Sequence, residues 1–172
     1  MAQSKNIFLI GLMGAGKTTI GRQIASELGL EFLDSDHEIE ERTGVTVTHI
    51  FDIEGEQGFR KRETNILDEL TQQKGIVLAT GGGAILKSEN RQFLMSRGTT
   101  IYLYADIETL FERTSKDRNR PLLQTDDPKT KLEELLEIRD PLYRETADII
   151  IDTGKDSVRL ALKEILDKLQ ED

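Results

Sequence analysis

Short apolar runs alternate with helical patterns along the whole chain. Between the runs, apolar residues recur three or four positions apart, as at Ile20, Ile24 and Leu28, which indicates amphipathic helices. The runs themselves are typical of strands buried on both faces. They cover residues 6–10, 31–34, 76–79, 100–104 and 148–151. Strands separated by helices pair in parallel through right-handed crossovers, so the pattern predicts a layered α/β/α fold.

Size, composition and charge narrow the class of protein. The chain has 172 residues, 37% hydrophobic and 32% charged, which predicts one compact domain over residues 1–172. No apolar run approaches the ~18 to 20 residues of a membrane span. The absence of cysteine excludes disulfides and is compatible with the cytoplasm. The net charge of −9 argues against general nucleic-acid binding, so a phosphate-rich ligand needs a local pocket of donors.

Residues 11–18 (GLMGAGKT) match the phosphate-binding P-loop pattern in full. A buried strand precedes the string and an amphipathic helix follows it, which is the context in which such a loop works. The glycines let backbone N–H groups surround phosphates, Lys17 adds a cation, and the Thr18 hydroxyl is placed to bind Mg²⁺. The alternative is a glycine-rich turn with a chance lysine. The pattern predicts nucleotide binding but does not separate a kinase from a GTPase switch or a motor.

Acidic residues follow the second predicted strand and not the third. The third strand runs into Gly81, Gly82 and Gly83, where a neighbouring group can lie close to the backbone. If the chain stays extended after the second strand, Asp34 and Asp36 project to one side. One acid would then face Mg²⁺ and the other an acceptor hydroxyl. Alternatively both acids cap the following helix, and these roles do not exclude each other.

Two arginines have an ambiguous setting in the sequence. Arg60 borders the inward face of a predicted helix, and Glu63, three residues later, is at the spacing that would let it pair with the arginine. It is equally well interpreted as a structural ion pair or as an anion-binding fork. Arg139 has the same ambiguity, and the proline two residues later suggests that its helix is near its end. The charged segment 116–128 carries two prolines and is either a functional lid or a solvated connector.

Six motifs in order resemble those of bacterial shikimate kinases over essentially the whole chain. They are the P-loop, Asp34-x-Asp36, the group Gly55, Glu56, Phe59, Arg60 and Glu63, the three glycines 81–83, the string Arg120-Pro121-Leu122-Leu123, and Arg139-x-Pro141-Leu142-Tyr143. The resemblance implies a P-loop kinase fold of the nucleoside-monophosphate-kinase type, with a five-stranded parallel sheet and a mobile lid at 116–128. It also implies phosphorylation of the 3-hydroxyl of shikimate by ATP with Mg²⁺, a step toward chorismate and the aromatic amino acids.

The same resemblance implies a role for each matching position. The ATP-binding residues would be Gly14, Ala15, Gly16, Lys17, Thr18, Thr19, Arg113 and the lid residue Arg120. Asp36, Arg60, Gly82 and Arg139 would bind shikimate within an acceptor region at 34–63 and beyond it. Thr18 would hold Mg²⁺ directly and Asp34 through water. Lys17, Asp34, Asp36 and Arg120 would be catalytic, with Asp36 preferred over Asp34 as the base, and residues 151–156 would form the adenine-side loop.

Two rival interpretations share the P-loop. A gluconate kinase-like enzyme has no reason to combine two carboxylate-clamping arginines with three glycines and the Asp-x-Asp pair. A regulatory nucleotide switch would need an exposed docking surface, which the sequence does not indicate. The resemblance therefore predicts a monomeric kinase whose partners are ATP and shikimate, with no nucleic-acid or membrane partner.

Overall fold

The computed structural model describes residues 5–115, 125–154 and 157–171. Its five strands form one parallel sheet in the order β2-β3-β1-β4-β5. The strands are β1 (Ile7–Ile10), β2 (Glu31–Asp34), β3 (Ile76–Ala79), β4 (Thr99–Tyr104) and β5 (Ile149–Asp152). The predicted α/β fold with a five-stranded parallel sheet is confirmed, and each predicted strand end lies within one residue of the observed one.

Helices cover both faces of the sheet. They are α1 (Lys17–Leu28), α2 (Ser35–Thr43), α3 (Val47–Leu70), α4 (Ser88–Arg97), α5 (Ile107–Thr114), α6 (Pro128–Thr146) and α7 (Val158–Gln170), with a 3₁₀ turn at Ala84–Leu86. Helices α1 and α7 pack together on one face, whereas α3, α4 and α6 pack together on the other. The apolar sheet between these layers, including Phe8, Leu9 and Leu78, is fully buried. The three-layer prediction is therefore confirmed.

The register of the central strands brings three segments to one edge of the sheet. Leu9 of β1 and Asp34 of β2 are both in register with Ala79 of β3. The backbone N–H of Thr80 then donates to the Leu9 carbonyl at 3.1 Å, and its hydroxyl donates to the same oxygen at 2.9 Å. The chain segments that follow β1, β2 and β3 therefore converge at the carboxyl ends of the strands, where parallel sheets bind ligands.

Helix α3 changes direction at a glycine. Gly55 has φ 74° and ψ 178°, a backbone conformation outside the helical region, within the span Val47–Leu70. The first part of the helix carries Phe51, whose ring packs at 4.8 Å from that of Phe59 on the second part. The kink thus folds the two parts of α3 around a shared aromatic contact.

The prediction that the helix of Arg139 ends near Pro141 was wrong. Helix α6 continues through Pro141 to Thr146. A proline removes one N–H and leaves the carbonyl four residues earlier without its helical donor. That carbonyl belongs to Glu137, and both residues lie on the exposed face, where water can bond the oxygen. The buried face of α6 continues past the proline at Tyr143 and Thr146, and its packing holds the helix together.

Part of the predicted lid lies outside the described residues. This applies to residues 116–124, which include Arg120, and to residues 155–156 of the predicted adenine-side loop. Within the described part of the chain, no helix combines the length and the apolar character needed to cross a membrane.

Candidate functional site

A cavity of about 440 Å³ opens at the carboxyl edge of the sheet. The P-loop forms one side of it, and residues from α2, α3, the segment after β3 and α6 form the other. The predicted site residues that line it are Gly14, Gly16, Lys17, Thr18, Thr19, Asp34, Asp36, Arg60, Gly82, Arg113 and Arg139. Ala15 is buried behind the loop, and Arg120 lies outside the described residues. The fold therefore joins the nucleotide and acceptor residues predicted from distant motifs in one space.

The P-loop leads directly into α1. Gly16 precedes the helix with φ 98°, a left-handed conformation that glycine adopts without steric cost. Lys17 follows at the first helical position, and its Nζ donates to the carbonyl oxygens of Gly11 at 2.6 Å and Leu12 at 3.1 Å. The lysine side chain thus folds back onto the P-loop backbone. It lies beside the N-terminus of α1, where the helix dipole favours anions.

Asp34 has two roles in the local structure. The chain does not stay extended after β2, because α2 begins at Ser35, so the condition under which Asp34 and Asp36 would project to one side is not met. The Asp34 Oδ1 accepts from the backbone N–H groups of Asp36 at 2.9 Å and His37 at 3.2 Å, so the capping alternative is correct for this residue. Its Oδ2 accepts from the Thr18 hydroxyl at 3.3 Å. One carboxylate therefore caps α2 and meets the P-loop.

Thr18 and Asp34 have side-chain oxygens, the type of ligand that Mg²⁺ prefers. The ion is usually bound by one or two carboxylates together with water and substrate phosphates, and not by a dedicated protein cage. The described residues contain no group of three or more His, Cys, Asp or Glu side chains placed to hold a metal. The hydroxyl and carboxylate fit the ion only together with phosphate oxygens from a nucleotide.

Arg60 is a buried arginine with acidic partners. Its Nη1 donates to Glu63 Oε1 at 2.8 Å and its Nε to Glu56 Oε2 at 3.4 Å. Its guanidinium also lies over the rings of Phe51 and Phe59, at 5.9 and 5.3 Å from their centroids. The predicted brace from Glu63 is confirmed, and the ion pair coexists with a position on the cavity wall.

Arg139 is buried without an acidic partner. Only 2% of the residue is exposed, and its Nη1 has no hydrogen-bond partner. Among the residues that the structure describes, no carboxylate lies within ion-pair distance of it. Burial lowers the pKa of Arg139, and the nearby charge of Arg60 lowers it further. A buried cation with an unused donor and a second cation beside it is poised to receive an anion.

Glu63 is a buried acid that lines the cavity next to Arg60. It is fully buried, and burial raises its pKa to about 7. The charge of Asp36 raises the pKa as well, whereas Arg60 and Arg139 oppose the rise. Its Oε1 accepts from Arg60, and its Oε2 has no hydrogen-bond partner. Burial therefore favours the protonated form of this carboxyl, whereas the two arginines favour its charged form.

The three glycines after β3 permit the close approach of these side chains. A Cβ atom on Gly83 would lie 2.2 to 2.5 Å from three guanidinium atoms of Arg60. One on Gly81 would lie 2.8 Å from both Asp36 Oδ1 and Glu63 Oε2. Real Cβ atoms do not come this close, so a side chain at either position would displace the charged groups. The expected close approach to this backbone is confirmed, and the groups that approach are the side chains of Asp36, Arg60 and Glu63.

Arg113 links the P-loop to the chain segment that follows β5. Its Nη1 donates to the Gly14 carbonyl at 3.0 Å and its Nη2 to the Thr153 carbonyl at 2.9 Å. The Thr153 hydroxyl donates to the Ala15 carbonyl at 2.9 Å. Thr153 lies in the adenine-side loop 151–156 that the resemblance implies, but no role was predicted for this residue. Its contact with the P-loop depends on how the chain after β5 packs, which no local sequence pattern indicates.

Replacing Glu63 with glutamine is expected to change how stability depends on pH. The raised pKa means that the folded state holds the proton more tightly than the unfolded state, whose carboxyl has a pKa near 4.5. This contribution to stability is complete below that value and is lost as pH rises to about 7. Urea unfolding of both proteins at several pH values should show this loss in the native protein and not in Glu63→Gln. Identical pH profiles would contradict the assignment, and Glu56→Gln, at the other acid that contacts Arg60, is the control that should retain the native profile.

The sequence as a whole matches shikimate kinases. The sequence model of the shikimate kinase family matches residues 13–170 of this chain. A shikimate kinase from Methylococcus capsulatus is 58% identical over 166 residues, which cover 96% of this chain and 93% of that protein. One from Histophilus somni is 56% identical over 168 residues, covering 97% and 96%.

Solved structures agree with the sequence matches. A shikimate kinase from Acinetobacter baumannii, in complex with shikimate, superposes with a TM-score of 0.95 at 55% identity, covering 97% of this chain and 93% of that one. The enzyme from Bacteroides thetaiotaomicron has a TM-score of 0.88 at 35% identity, with coverage of 96% and 98%. The resemblance inferred from the six motifs is thereby confirmed, and the chain belongs to the shikimate kinase family.

Proposed function

We propose that this protein transfers the γ-phosphoryl group of ATP to the 3-hydroxyl of shikimate, giving ADP and 3-phosphoshikimate on the route to chorismate and the aromatic amino acids. Membership of the family supports the reaction. The observation that carries the assignment of the acceptor is Arg139, a buried guanidinium with an unused donor in the same cavity as the P-loop. A P-loop alone serves many nucleotide-binding proteins, whereas this arginine requires an anionic partner.

The nucleotide half of the cavity would hold ATP through residues 14–19. The backbone N–H groups of the loop and the α1 N-terminus would surround the phosphates. Lys17 would exchange its bonds to the Gly11 and Leu12 carbonyls for the outer phosphates, where its charge offsets the charge that develops during transfer. Arg113 would lie beside the adenine, since it borders the cavity next to the Gly14 carbonyl.

Thr18 and Asp34 would hold Mg²⁺, the hydroxyl directly and the carboxylate through water. The 3.3 Å between Thr18 Oγ1 and Asp34 Oδ2 supports this pairing. When bound, the ion would neutralise part of the phosphate charge. Asp34 is available for it because its capping bonds use Oδ1 alone.

The acceptor half would bind shikimate through its carboxylate and hydroxyls. Arg139, Arg60 and Gly82 would together bind the carboxylate. The hydrogen bonds of Arg60 to Glu63 and Glu56 use Nη1 and Nε, so its Nη2 can donate to the ligand. Asp36, in the first turn of α2, would accept from the ring hydroxyls and take the proton of the reacting one. The carboxylate clamp would thus fix the ring, and Asp36 would orient the 3-hydroxyl toward the P-loop.

The lid role of Arg120 stays a prediction, because that residue lies outside the described part of the chain. A cation from a lid would join Lys17 at the transferring phosphate and help to exclude water. We also propose that the protein acts as a monomer in the cytoplasm, with no nucleic-acid or membrane partner. The net charge of −9 opposes binding to polyanions such as nucleic acids.

The test measures ADP release with and without an acceptor. We expect release to depend strictly on shikimate, and phosphorus NMR of the product should place the phosphate on the 3-hydroxyl. An analogue whose carboxylate is reduced to an alcohol should have a much higher KM, because both arginines lose their anion. Dependence on gluconate instead would favour the other small-metabolite kinase, and acceptor-independent hydrolysis would favour a nucleotide switch; either result would overturn the proposal.

A further inference from the structure

We propose that Tyr143 is a positioning residue of the acceptor site, which holds the Gly82 backbone and the Arg139 guanidinium in a fixed arrangement. The proposal rests on the function proposed for this cavity. Tyr143 belongs to a sequence motif with Arg139, but it does not line the cavity and has no role in the assignments above. Its contacts nevertheless reach two residues that would bind the substrate carboxylate.

The Tyr143 side chain bridges two elements of the site. It lies on α6 four residues after Arg139, and side chains at this spacing lie on the same face of a helix. Its hydroxyl donates to the Gly82 carbonyl at 2.6 Å. Gly82 in turn lies against Arg139, since a Cβ atom there would be 3.4 Å from Arg139 Nη1. The tyrosine therefore ties the glycine segment to α6 at the place where the unused arginine donor lies.

The Tyr143 hydroxyl has a single proton, which determines the direction of its hydrogen bond to Gly82. Tyr143 is completely buried, and burial raises its pKa, so the phenol keeps its proton at neutral pH. That single proton is donated to Gly82. The neighbouring Arg139 guanidinium carries only donors, and its interaction with Tyr143 raises the pKa of the arginine, against the effect of burial. The phenol directs its proton to the Gly82 carbonyl, and Gly82 lies against the guanidinium, so the tyrosine would hold the two groups in one arrangement and leave Nη1 available for an incoming carboxylate.

Tyr102 of β4 offers a matched comparison, since it packs against Tyr143 from the sheet. Its ring packs against that of Tyr143 with the centroids 4.8 Å apart, and its residue is 1% exposed, as is Tyr143. Its hydroxyl also donates a 2.6 Å hydrogen bond, but to Asp140, which does not line the cavity. The two tyrosines thus share burial and bond length and differ in whether the acceptor of the bond belongs to the site.

The experiment compares Tyr143→Phe with Tyr102→Phe. In Tyr143→Phe we expect the Kd and KM for shikimate to rise by about 5- to 30-fold, the range for losing one hydrogen bond in a charged network. The KM for ATP and kcat at saturating shikimate should change by less than about twofold, because the P-loop is untouched. Tyr102→Phe should leave the KM for shikimate unchanged, and thermal unfolding of both variants records the general cost of a lost buried hydroxyl.

A double-mutant cycle tests whether Tyr143 acts through Arg139. In an Arg139→Ala background, Tyr143→Phe should change the shikimate Kd much less than in the native protein, because the arginine that Tyr143 orients is absent. Additive losses would overturn the proposal. So would equal KM increases in the two phenylalanine variants, or a Tyr143→Phe protein that fails to fold while Tyr102→Phe folds, since the hydroxyl would then serve the fold alone.

The outcomes also separate this proposal from the function on which it depends. Native protein that releases ADP without regard to shikimate would reject both. Shikimate-dependent native protein whose Tyr143→Phe variant keeps the native KM would reject the positioning role and leave the proposed function standing.

Discussion

Replacing Lys17 with alanine should reduce kcat by about 10²- to 10³-fold, the loss typical of removing one preorganised group that stabilises transition-state charge. Phosphoryl transfer depends on positioning and charge stabilisation, and Lys17 is the P-loop cation at the start of α1. Its two hydrogen bonds to loop carbonyls hold it over the cavity, where phosphates would replace those carbonyls. The substitution should affect ATP binding less than turnover, because the backbone N–H groups of the loop remain.

The measurement is steady-state kinetics of purified Lys17→Ala beside Lys61→Ala. Lys61 is an exposed lysine on α3 that does not line the cavity, so its variant should keep native kcat. Circular dichroism and thermal unfolding establish that both variants are folded. Native turnover by folded Lys17→Ala would refute the role of the lysine in transfer.

The nucleotide half could be predicted from sequence because its determinants are contiguous. The residues from Gly11 to Thr18 form the loop and the helix start by local geometry, and the strand before them needs only a run of apolar residues. The i+3 spacing of Arg60 and Glu63 likewise predicts their ion pair, since neighbours on a helix face are fixed by the helix itself.

The acceptor half was less predictable, because the role of each residue there depends on neighbours that are distant in the sequence. The sequence leaves open whether Arg139 is satisfied by an acid, and the answer comes from how α6 packs against the segment after β3. Asp34 posed a similar problem, since capping and cavity-facing roles were weighed as alternatives and the two oxygens of one carboxylate perform both. The continuation of α6 beyond Pro141 also depends on tertiary packing, which outweighs the local cost of a proline.

Arg139→Ala should weaken shikimate binding by about 1.5 to 3 kcal/mol or more, as expected for the loss of a charge-assisted fork to a carboxylate. This arginine gives a cleaner test than Arg60. Removing Arg60 would strand the buried Glu63, with which it forms a 2.8 Å ion pair, and would confound binding with stability. No acid within the described residues forms an ion pair with Arg139, so its removal leaves the pair of Glu63 with Arg60 intact and also relieves the repulsion between the two arginines.

Calorimetric titration measures the expected loss as a rise of about 10- to 150-fold in the Kd for shikimate. The affinity for ATP should remain native, because Arg139 is not among the residues proposed to bind ATP. Arg139→Lys should fall between the two proteins, since an ammonium keeps the charge but cannot form the planar fork. Arg144→Ala is the matched control on the same helix, because Arg144 pairs with Asp140 and does not line the cavity. Native shikimate affinity in folded Arg139→Ala would remove the carboxylate clamp from the proposed site, and with it the reason for assigning an anionic acceptor to this cavity.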